Sequence, residues 1–317
     1  MAKAVVLGAT GHIGAHVVRA LLNEGHRVRA TYRNEKFLFV LKDLPVERVR
    51  MDLNDIAQIR KAIEGCEWVF HCAGYYPLLR QRTGAIQKGV ESVRSVFGEA
   101  RRSKVARIVF TSSIATFSRR EPGSTTGWKS LYASVKTAME KEADEAIRSG
   151  VPIVLVNPAL CIGEFDTHSF SGQAVLAVAK YRLPWTIHYP MHVVYTGDVG
   201  VGHVRAAQQG QVGKRYPLTG QDLSLKEFSQ IVARVAGFKP PRWCLQKSIV
   251  FAAAWGVESL AKLTGAEPLW TRAEIREACN GFPLTGREET AHWEIPQTPI
   301  EEAVRRAVGW FRENGYL

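Results

Sequence analysis

Short apolar runs alternate with longer amphipathic segments in the first half of the chain. The runs are typical of strands buried on both faces, and the amphipathic segments predict helices, because a helix shows its apolar face once per turn. The predicted strands are residues 4–7, 28–32, 46–51, 68–72, 108–111 and 153–156, and the predicted helices are residues 13–23, 53–64, 86–102 and 132–148. This alternation indicates an α/β fold, a doubly wound parallel sheet of the Rossmann type.

The pattern changes after Asn157 and Pro158, where apolar runs shorten and the intervening polar segments lengthen. Helices are predicted at residues 172–180, 198–208, 247–263 and 299–314, and another begins at a capping box, Ser224 to Glu227. We therefore predict a Rossmann domain at residues 1–158 and a smaller, mostly helical substrate domain at residues 159–317. Some segments of the second domain are expected to return to the sheet.

The composition fits a fully folded chain, since 46% of its 317 residues are hydrophobic. The five cysteines are scattered without metal-ligand spacing, which predicts reduced thiols, a cytoplasmic protein and no metal site. No apolar stretch is long enough to span a membrane.

The net charge of +12 raises the question of a polyanionic partner. The basic residues are spread along the chain without a nucleic-acid-binding motif, so we expect no nucleic acid and instead a field that attracts a phosphorylated cofactor or an anionic substrate. The apolar helix at residues 249–263 could lie on a membrane surface, but a buried packing helix or a dimer contact is the favoured interpretation.

A glycine-rich turn follows the first predicted strand and opens the first predicted helix. Its sequence runs from Gly8 through Thr10, Gly11, His12 and Ile13 to Gly14. Glycines at this spacing permit a tight turn, a close approach of backbone to pyrophosphate, and close packing of helix on strand. The free N–H groups of the helix N-terminus then face the phosphates, so this segment predicts a dinucleotide site.

The second predicted strand ends in Arg33, where an acidic residue would favour NAD. Arg33 can pair with a 2′-phosphate, with help from Lys36, so we predict NADP(H) as cofactor and keep NAD as the alternative. Asp52, which precedes Leu53, either accepts a hydrogen bond from the adenine amino group, caps the next helix, or does both.

Tyr132 and Lys136 stand four residues apart near the start of a predicted helix, so their side chains share one face. A lysine cation and an oxidised nicotinamide would together lower the pKa of the phenol and fit it for proton transfer. Ser113, at the end of the fifth strand, is the chosen donor to a developing oxyanion, while Thr111 and Ser112 are structural or contact the cofactor.

These motifs together resemble the extended branch of the short-chain dehydrogenase/reductase superfamily, and in particular dihydroflavonol-reductase-like proteins and hopanoid-associated sugar epimerases. The matching pieces also include 71–74, Asn157-Pro158, 261–268 and 301–315. The resemblance implies a catalytic triad of Ser113, Tyr132 and Lys136, with Ala73 and Pro158 lining the nicotinamide pocket.

Three departures from the family pattern argue against some of the activities that occur in this family. Residues 89–93 lack the asparagine of a common family segment, Met191 stands where nucleotide-sugar epimerases place an arginine, and Ile114-Ala115 replace the acidic pair of the 4,6-dehydratases. We expect no dehydratase activity.

The leading hypothesis is a reductase or dehydrogenase for a small, partly apolar substrate, with Tyr75, Tyr76 and Phe165 in its pocket. A sugar epimerase that oxidises its substrate transiently is the alternative, and a non-enzymatic NADP(H) sensor ranks last. A homodimer is an open alternative to a monomer.

Overall fold

The computed structural model describes residues 1–74, 84–119, 131–166, 172–264 and 287–317. The strands are β1 (Lys3–Leu7), β2 (Arg27–Tyr32), β3 (Glu47–Arg50), β4 (Trp68–His71), β5 (Arg107–Thr111), β6 (Ile153–Pro158), β7 (Leu160–Ile162), β8 (Trp185–Ile187), β9 (Pro190–Tyr195), β10 (Arg215–Leu218), β11 (Gln221–Ser224) and β12 (Trp243–Leu245). The helices are α1 (His12–Asn23), α2 (Ile56–Ile63), α3 (Ala85–Arg102), α4 (Leu131–Arg148), α5 (Gly172–Tyr181), α6 (Thr196–Gln209), α7 (Leu225–Ala236), α8 (Lys247–Thr264) and α9 (Ile300–Glu313).

Seven strands form one parallel sheet in the order β10-β6-β5-β4-β1-β2-β3. The order reverses between β1 and β4, and in an open parallel sheet the crevice at such a reversal, outside the carboxyl ends of the strands, is where ligands bind. The predicted Rossmann sheet is therefore confirmed.

Alternate residues of each strand point to opposite faces of the sheet, so the strands contribute to two separate apolar layers, one on each face. On β1, Val6 packs with α1 and α6 residues on one face, while Val5 packs with α2 and α3 residues on the other. A two-residue side-chain period on strands buried on both faces produces this division, and it explains why the runs are apolar throughout.

The strand β3 departs from the expectation of a buried strand. It is the edge of the sheet, paired to β2 alone, and Glu47, Arg48 and Arg50 on it are exposed or only partly buried. Charged residues of this kind suit an edge strand that faces water. The prediction of a buried strand was wrong because it relied on Val46 and Val49 and did not take the charged residues between and beside them into account.

The second half of the chain contributes to both parts of the molecule. β10 is an edge strand of the main sheet, and α6 packs along α1. The remaining elements include the small sheets β11-β9-β7 and β12-β8, and α5, α7 and α9 share an apolar core with β9. The capping box at Ser224 is present, with Ser224 and Glu227 each bonding the other's backbone N–H.

The helix α8 is not a buried packing helix within this chain, and the dimer contact, the other expectation for it, stays a prediction. Of residues 247–259, whose side chains are described, Ala254 alone is buried. None of the helices in the described ranges has the length and apolar character needed to cross a bilayer.

Candidate active site

The glycine-rich turn between β1 and α1 is shaped by positions where a side chain could not be accommodated. Gly8 adopts φ +82°, and a Cβ there would lie 2.8 Å from the Cα of Ala73 at the end of β4. A Cβ on Gly14 would overlap the carbonyl oxygen of Gly8. The turn is thus packed tightly against the neighbouring strand end, as a loop must be when its backbone approaches a pyrophosphate.

Gly11 is the N-cap of α1, and no side chain caps this end of the helix. Thr10 is buried beside it, while the His12 ring shares a 2.8 Å hydrogen bond with the hydroxyl of Thr196. Burial lowers the pKa of His12, although the carboxylates of Asp166 and Glu164 act in the opposite direction. Ile13 packs partly into the apolar layer below. Uncapped N–H groups at a helix N-terminus fit the phosphates of a dinucleotide.

Arg33 lies at the end of β2 with its side chain exposed. Among the described residues it forms no hydrogen bond and no ion pair. The nearby Lys36 stacks its ammonium 4.8 Å from the ring centre of Phe37. Both cations are thus available beside the strand end that receives the adenosine ribose in this fold.

Asp52 does not cap the following helix, contrary to one of its two predicted roles. Its carboxylate accepts hydrogen bonds from the backbone and side chain of Asn54 at 2.9 Å. The N-cap is Asp55, whose carboxylate accepts from the Gln58 N–H at 3.1 Å, and α2 therefore begins at Ile56. Leu53 packs partly against the apolar layer of β1. The adenine contact of Asp52 stays a prediction.

Ser113, Tyr132 and Lys136 are brought together by β5 and α4. The Tyr132 and Ser113 hydroxyl groups share a hydrogen bond. The Lys136 ammonium, one turn along α4, is buried and donates to the backbone carbonyl of Thr111 at 3.1 Å. A phenol, a hydroxyl and an ammonium thus meet beside the carboxyl end of β5.

The electrostatics of this cluster differ from the expected lowering of the Tyr132 pKa. Burial raises the pKa of Tyr132 to about 12, and the Ser113 hydrogen bond offsets this only in part. Burial also lowers the pKa of Lys136 to about 8, against the opposing influence of Glu140 and Cys72. Desolvation of the phenolate outweighs the other contributions here, and the lowering expected from Lys136 together with an oxidised nicotinamide stays a prediction. At neutral pH the phenol holds its proton and the lysine carries its charge.

Glu140 is a residue of this region that sequence reasoning missed. It lies on α4 one turn beyond Lys136 and is 1% exposed. Its carboxylate accepts hydrogen bonds from Ser112 at 2.6 Å, from Thr116 and Asn157 at 2.8 Å, and from Arg215 at 2.9 Å. These contacts tie together β5, β6, β10 and the turn that carries Ser113. The four-residue spacing from Lys136 was the signal that could have found it.

His203 of α6 supports the same strand end from the other face of the sheet. Its Nδ1 lies 2.7 Å from the Val199 carbonyl oxygen, so this nitrogen donates and Nε2 accepts from the Thr111 hydroxyl at 2.9 Å. Burial lowers the pKa of His203 to about 4, which keeps the ring neutral. Thr111 is therefore held at two points: its backbone carbonyl accepts a hydrogen bond from Lys136, and its hydroxyl bonds His203.

Of the remaining predicted site residues, some lie beside the glycine-rich turn or at a strand end of the sheet, and others do not or are not described. Ala73 lies against Gly8, and Pro158 is the buried last residue of β6. Phe165, predicted to bind substrate, adopts φ +66° and packs under the guanidinium of Arg19 at 3.9 Å, so its substrate role stays a prediction. Tyr75 and Tyr76 lie outside the described residues.

The sequence model of the NAD dependent epimerase/dehydratase family matches residues 4–217, a range that holds the parallel sheet, the glycine-rich turn and the Ser113, Tyr132 and Lys136 cluster. The chain belongs to this family, within the extended short-chain dehydrogenase/reductase superfamily of NAD(P)-dependent oxidoreductases.

Two curated relatives match over nearly their whole length. A putative dihydroflavonol 4-reductase of Synechocystis is 28% identical, over 98% of this chain and 95% of its own. The sterol demethylase protein B of Methylococcus capsulatus is 30% identical, over 99% of both. Among solved structures, the crystal structure of gox2253 is 28% identical and superposes with a TM-score of 0.86 over 100% of this chain and 99% of its own.

Proposed function

We propose that this chain is an NADP(H)-dependent reductase that interconverts a carbonyl group and a secondary alcohol on a small, partly apolar substrate. The observation that carries the proposal is the grouping of Ser113, Tyr132 and Lys136, with Tyr132 protonated and Lys136 charged at neutral pH. A protonated phenol is a proton donor, which is the group that carbonyl reduction needs.

The residues divide the reaction between them. Ser113 and Tyr132 donate hydrogen bonds to the substrate carbonyl oxygen, and Tyr132 gives up its proton as charge develops there. Lys136 stabilises the resulting phenolate and holds the ribose of the cofactor. NADPH, when bound, supplies the hydride. Glu140 and His203 act indirectly, since they hold the strand end from which Ser113 and Thr111 project.

The preference for NADP(H) rests on Arg33, supported by Lys36. Arg33 directly follows β2, no acidic residue occurs at positions 31–34, and a guanidinium pairs with phosphate in a planar, bidentate geometry. The residues that would hold the diphosphate are Gly8, Gly11 and Gly14 with the N-terminus of α1.

The alternative, a sugar epimerase, is less well supported. Met191, at the position where nucleotide-sugar epimerases carry an arginine, is buried among apolar residues of β9 and α7. A cation that grips a sugar diphosphate is therefore missing from that position. The names of the two curated relatives, a dihydroflavonol reductase and a sterol demethylase component, favour an apolar substrate.

We also propose that the protein works in the cytoplasm. Cys66, Cys72, Cys161 and Cys244 are free thiols, and burial raises the pKa of Cys72 and of Cys161 to about 12. Unpaired thiols are typical of a reducing compartment, where disulfides rarely form.

Fluorescence titration with NADPH and NADH tests the cofactor assignment. Wild type is expected to bind NADPH more tightly, and Arg33→Ala to reduce that preference by roughly 2 kcal/mol. Arg27→Ala, at the opposite end of β2, is the matched control and should keep the preference. Equal or tighter binding of NADH by wild type would contradict the assignment and favour a tightly held NAD with epimerase chemistry.

A further inference from the structure

Large apolar side chains are exposed on α5, β8, β12 and α8 and on the segment that leads into β8. They are Tyr181 (74% exposed), Leu183 (45%), Trp185 (40%), Trp243 (62%), Ile249 (53%), Trp255 (58%) and Val257 (40%). We call Trp185 and Trp243, with Tyr181 and Leu183 just before β8, the aromatic surface. Single exposed apolar residues are ordinary, but neighbouring exposed tryptophans mark a site of interaction.

The strand pairing places two of these tryptophans side by side. β8 and β12 are parallel, and their register sets Trp185 opposite Trp243. Side chains at paired positions point to the same face of a sheet, so both indoles project together from it. The N–H groups of Arg242 and Trp243 also bond to the Pro184 carbonyl, which fixes the two segments against each other.

Short connections join these strands to their neighbouring helices. Tyr181 is the last residue of α5, four positions before β8 begins, and α8 begins at Lys247, two positions after β12 ends. Within α8, Val250, Phe251 and Ala254 pack on one another. Ile249, Trp255 and Val257 of the same helix are also exposed to solvent.

The segments around β8 and β12 carry positive charge, and the first acidic residue after β12 is Glu258 on α8. Residues 173–189 and 237–257 contain no aspartate or glutamate, in a chain that has 30 acidic residues. The same segments contain Lys180, Arg182, Lys239, Arg242 and Lys247. Exposed tryptophans surrounded by lysine and arginine match the chemistry of the boundary between lipid headgroups and acyl chains.

We propose that the aromatic surface docks the protein on an anionic lipid bilayer, with the indoles inserted at headgroup depth and the basic side chains paired to lipid phosphates. Attraction to an anionic leaflet and burial of apolar side chains both contribute to such binding. Binding of this kind needs no membrane-spanning helix, and none occurs in the described ranges. An interface between two copies of the chain fits less well, because two identical basic surfaces would repel each other.

Vesicle flotation tests the proposal with the full-length protein. Wild type should float with vesicles of phosphatidylcholine and phosphatidylglycerol, and bind phosphatidylcholine alone far more weakly. Lys239→Gln with Arg242→Gln should weaken binding roughly 30-fold, since each basic residue near an anionic surface contributes about one kcal/mol. Lys141→Gln with Arg148→Gln on α4 changes the net charge equally and should bind as wild type does.

A second pair of variants separates lipid insertion from simple charge attraction. Trp185→Ser with Trp243→Ser should lose at least about tenfold in vesicle binding, while Ile86→Ser with Val212→Ser, which are also exposed, should lose none. Quenching of wild-type tryptophan fluorescence by lipids brominated near the headgroup should accompany binding. Thermal melting curves like that of wild type establish that each variant is folded.

Three results would overturn the proposal. Wild type could remain unbound to anionic vesicles, or the tryptophan pair could bind as wild type does. Analytical ultracentrifugation could instead show a dimer that the tryptophan substitutions dissociate, and the aromatic surface would then be a contact between protomers.

Discussion

The buried carboxylate of Glu140 and the exposed guanidinium of Arg33 show two ways of placing a charge near the same reaction. Glu140 is held by donors from Ser112, Thr116, Asn157 and Arg215, whereas Arg33 has no hydrogen-bond or ion-pair partner within the described part of the chain. The interior network fixes geometry before any ligand arrives. Under the proposed function, Arg33 contacts only the bound cofactor, so its substitution is expected to change the preference between NADPH and NADH without disturbing the proton-transfer groups.

The largest effect is expected at the interior site. Tyr132→Phe removes the proton donor but keeps the ring, so carbonyl reduction should fall about 10³-fold while NADPH binding persists. Steady-state rates with a panel of apolar ketones, together with NADPH titration, measure both quantities. Loss of NADPH binding would instead indicate that the ring position supports the cofactor, and unchanged activity would remove Tyr132 from the chemistry.

Next in size is the effect of Glu140→Gln on stability. The amide cannot satisfy the donors that converge on this position, so the free energy of unfolding should fall by about 3 kcal/mol, with Asp144 still pairing Arg215. Glu142→Gln on the same helix breaks the exposed pair with Arg94 and should cost under about 1 kcal/mol. Urea unfolding measures both, and equal losses would show that the Glu140 network contributes no more than a surface ion pair.

Lys136 predicts a pH dependence. Its pKa is lowered to about 8, so the ammonium is charged below that pH and loses its proton above it. The kcat/KM for NADPH, which reports the free enzyme, should therefore fall by about fivefold between pH 8 and pH 9. Lys136→Arg stays charged and should lack this decline, even if its rate is lower overall. The same decline in Lys136→Arg would assign it to another group.

The smallest expected effect is the salt dependence of NADPH binding, which tests whether the exposed Arg33 contacts the cofactor. An exposed Arg33 contact with phosphate is screened by salt, so NADPH binding by wild type should weaken several-fold between low and moderate ionic strength. Arg33→Ala should be less sensitive over the same range. Binding with equal salt sensitivity in both proteins would mean that Arg33 does not face the 2′-phosphate.

Local sequence patterns predicted much of this region. The glycine-rich turn and the grouping of Tyr132 with Lys136 follow from spacing along one strand–turn–helix and one helix face. The partners of Glu140 and Thr111 do not, because Arg215 and His203 come from segments 75 and 92 residues away that only the folded sheet brings near. The effect of burial on the pKa of Tyr132 could not be predicted either, since desolvation depends on packing that the sequence does not display.

The N-cap of α2 and the exposure of α8 could not be predicted from the sequence alone. Asp52 and Asp55 both precede the apolar residues of α2, and the choice of cap depended on which carboxylate could reach an N–H three residues ahead. Similarly, the exposed face of α8 could not be told from a buried one by composition, because both are apolar. Tertiary placement decided each case.

The central claim is net reduction of a carbonyl by NADPH through Tyr132, and the stoichiometry of the reaction tests it most directly. With a responsive apolar ketone, one alcohol should form for each NADPH oxidised, and Tyr132→Phe should abolish both signals together. Conversion of a substrate into its stereoisomer without net consumption of NADPH would contradict the claim and identify an epimerase.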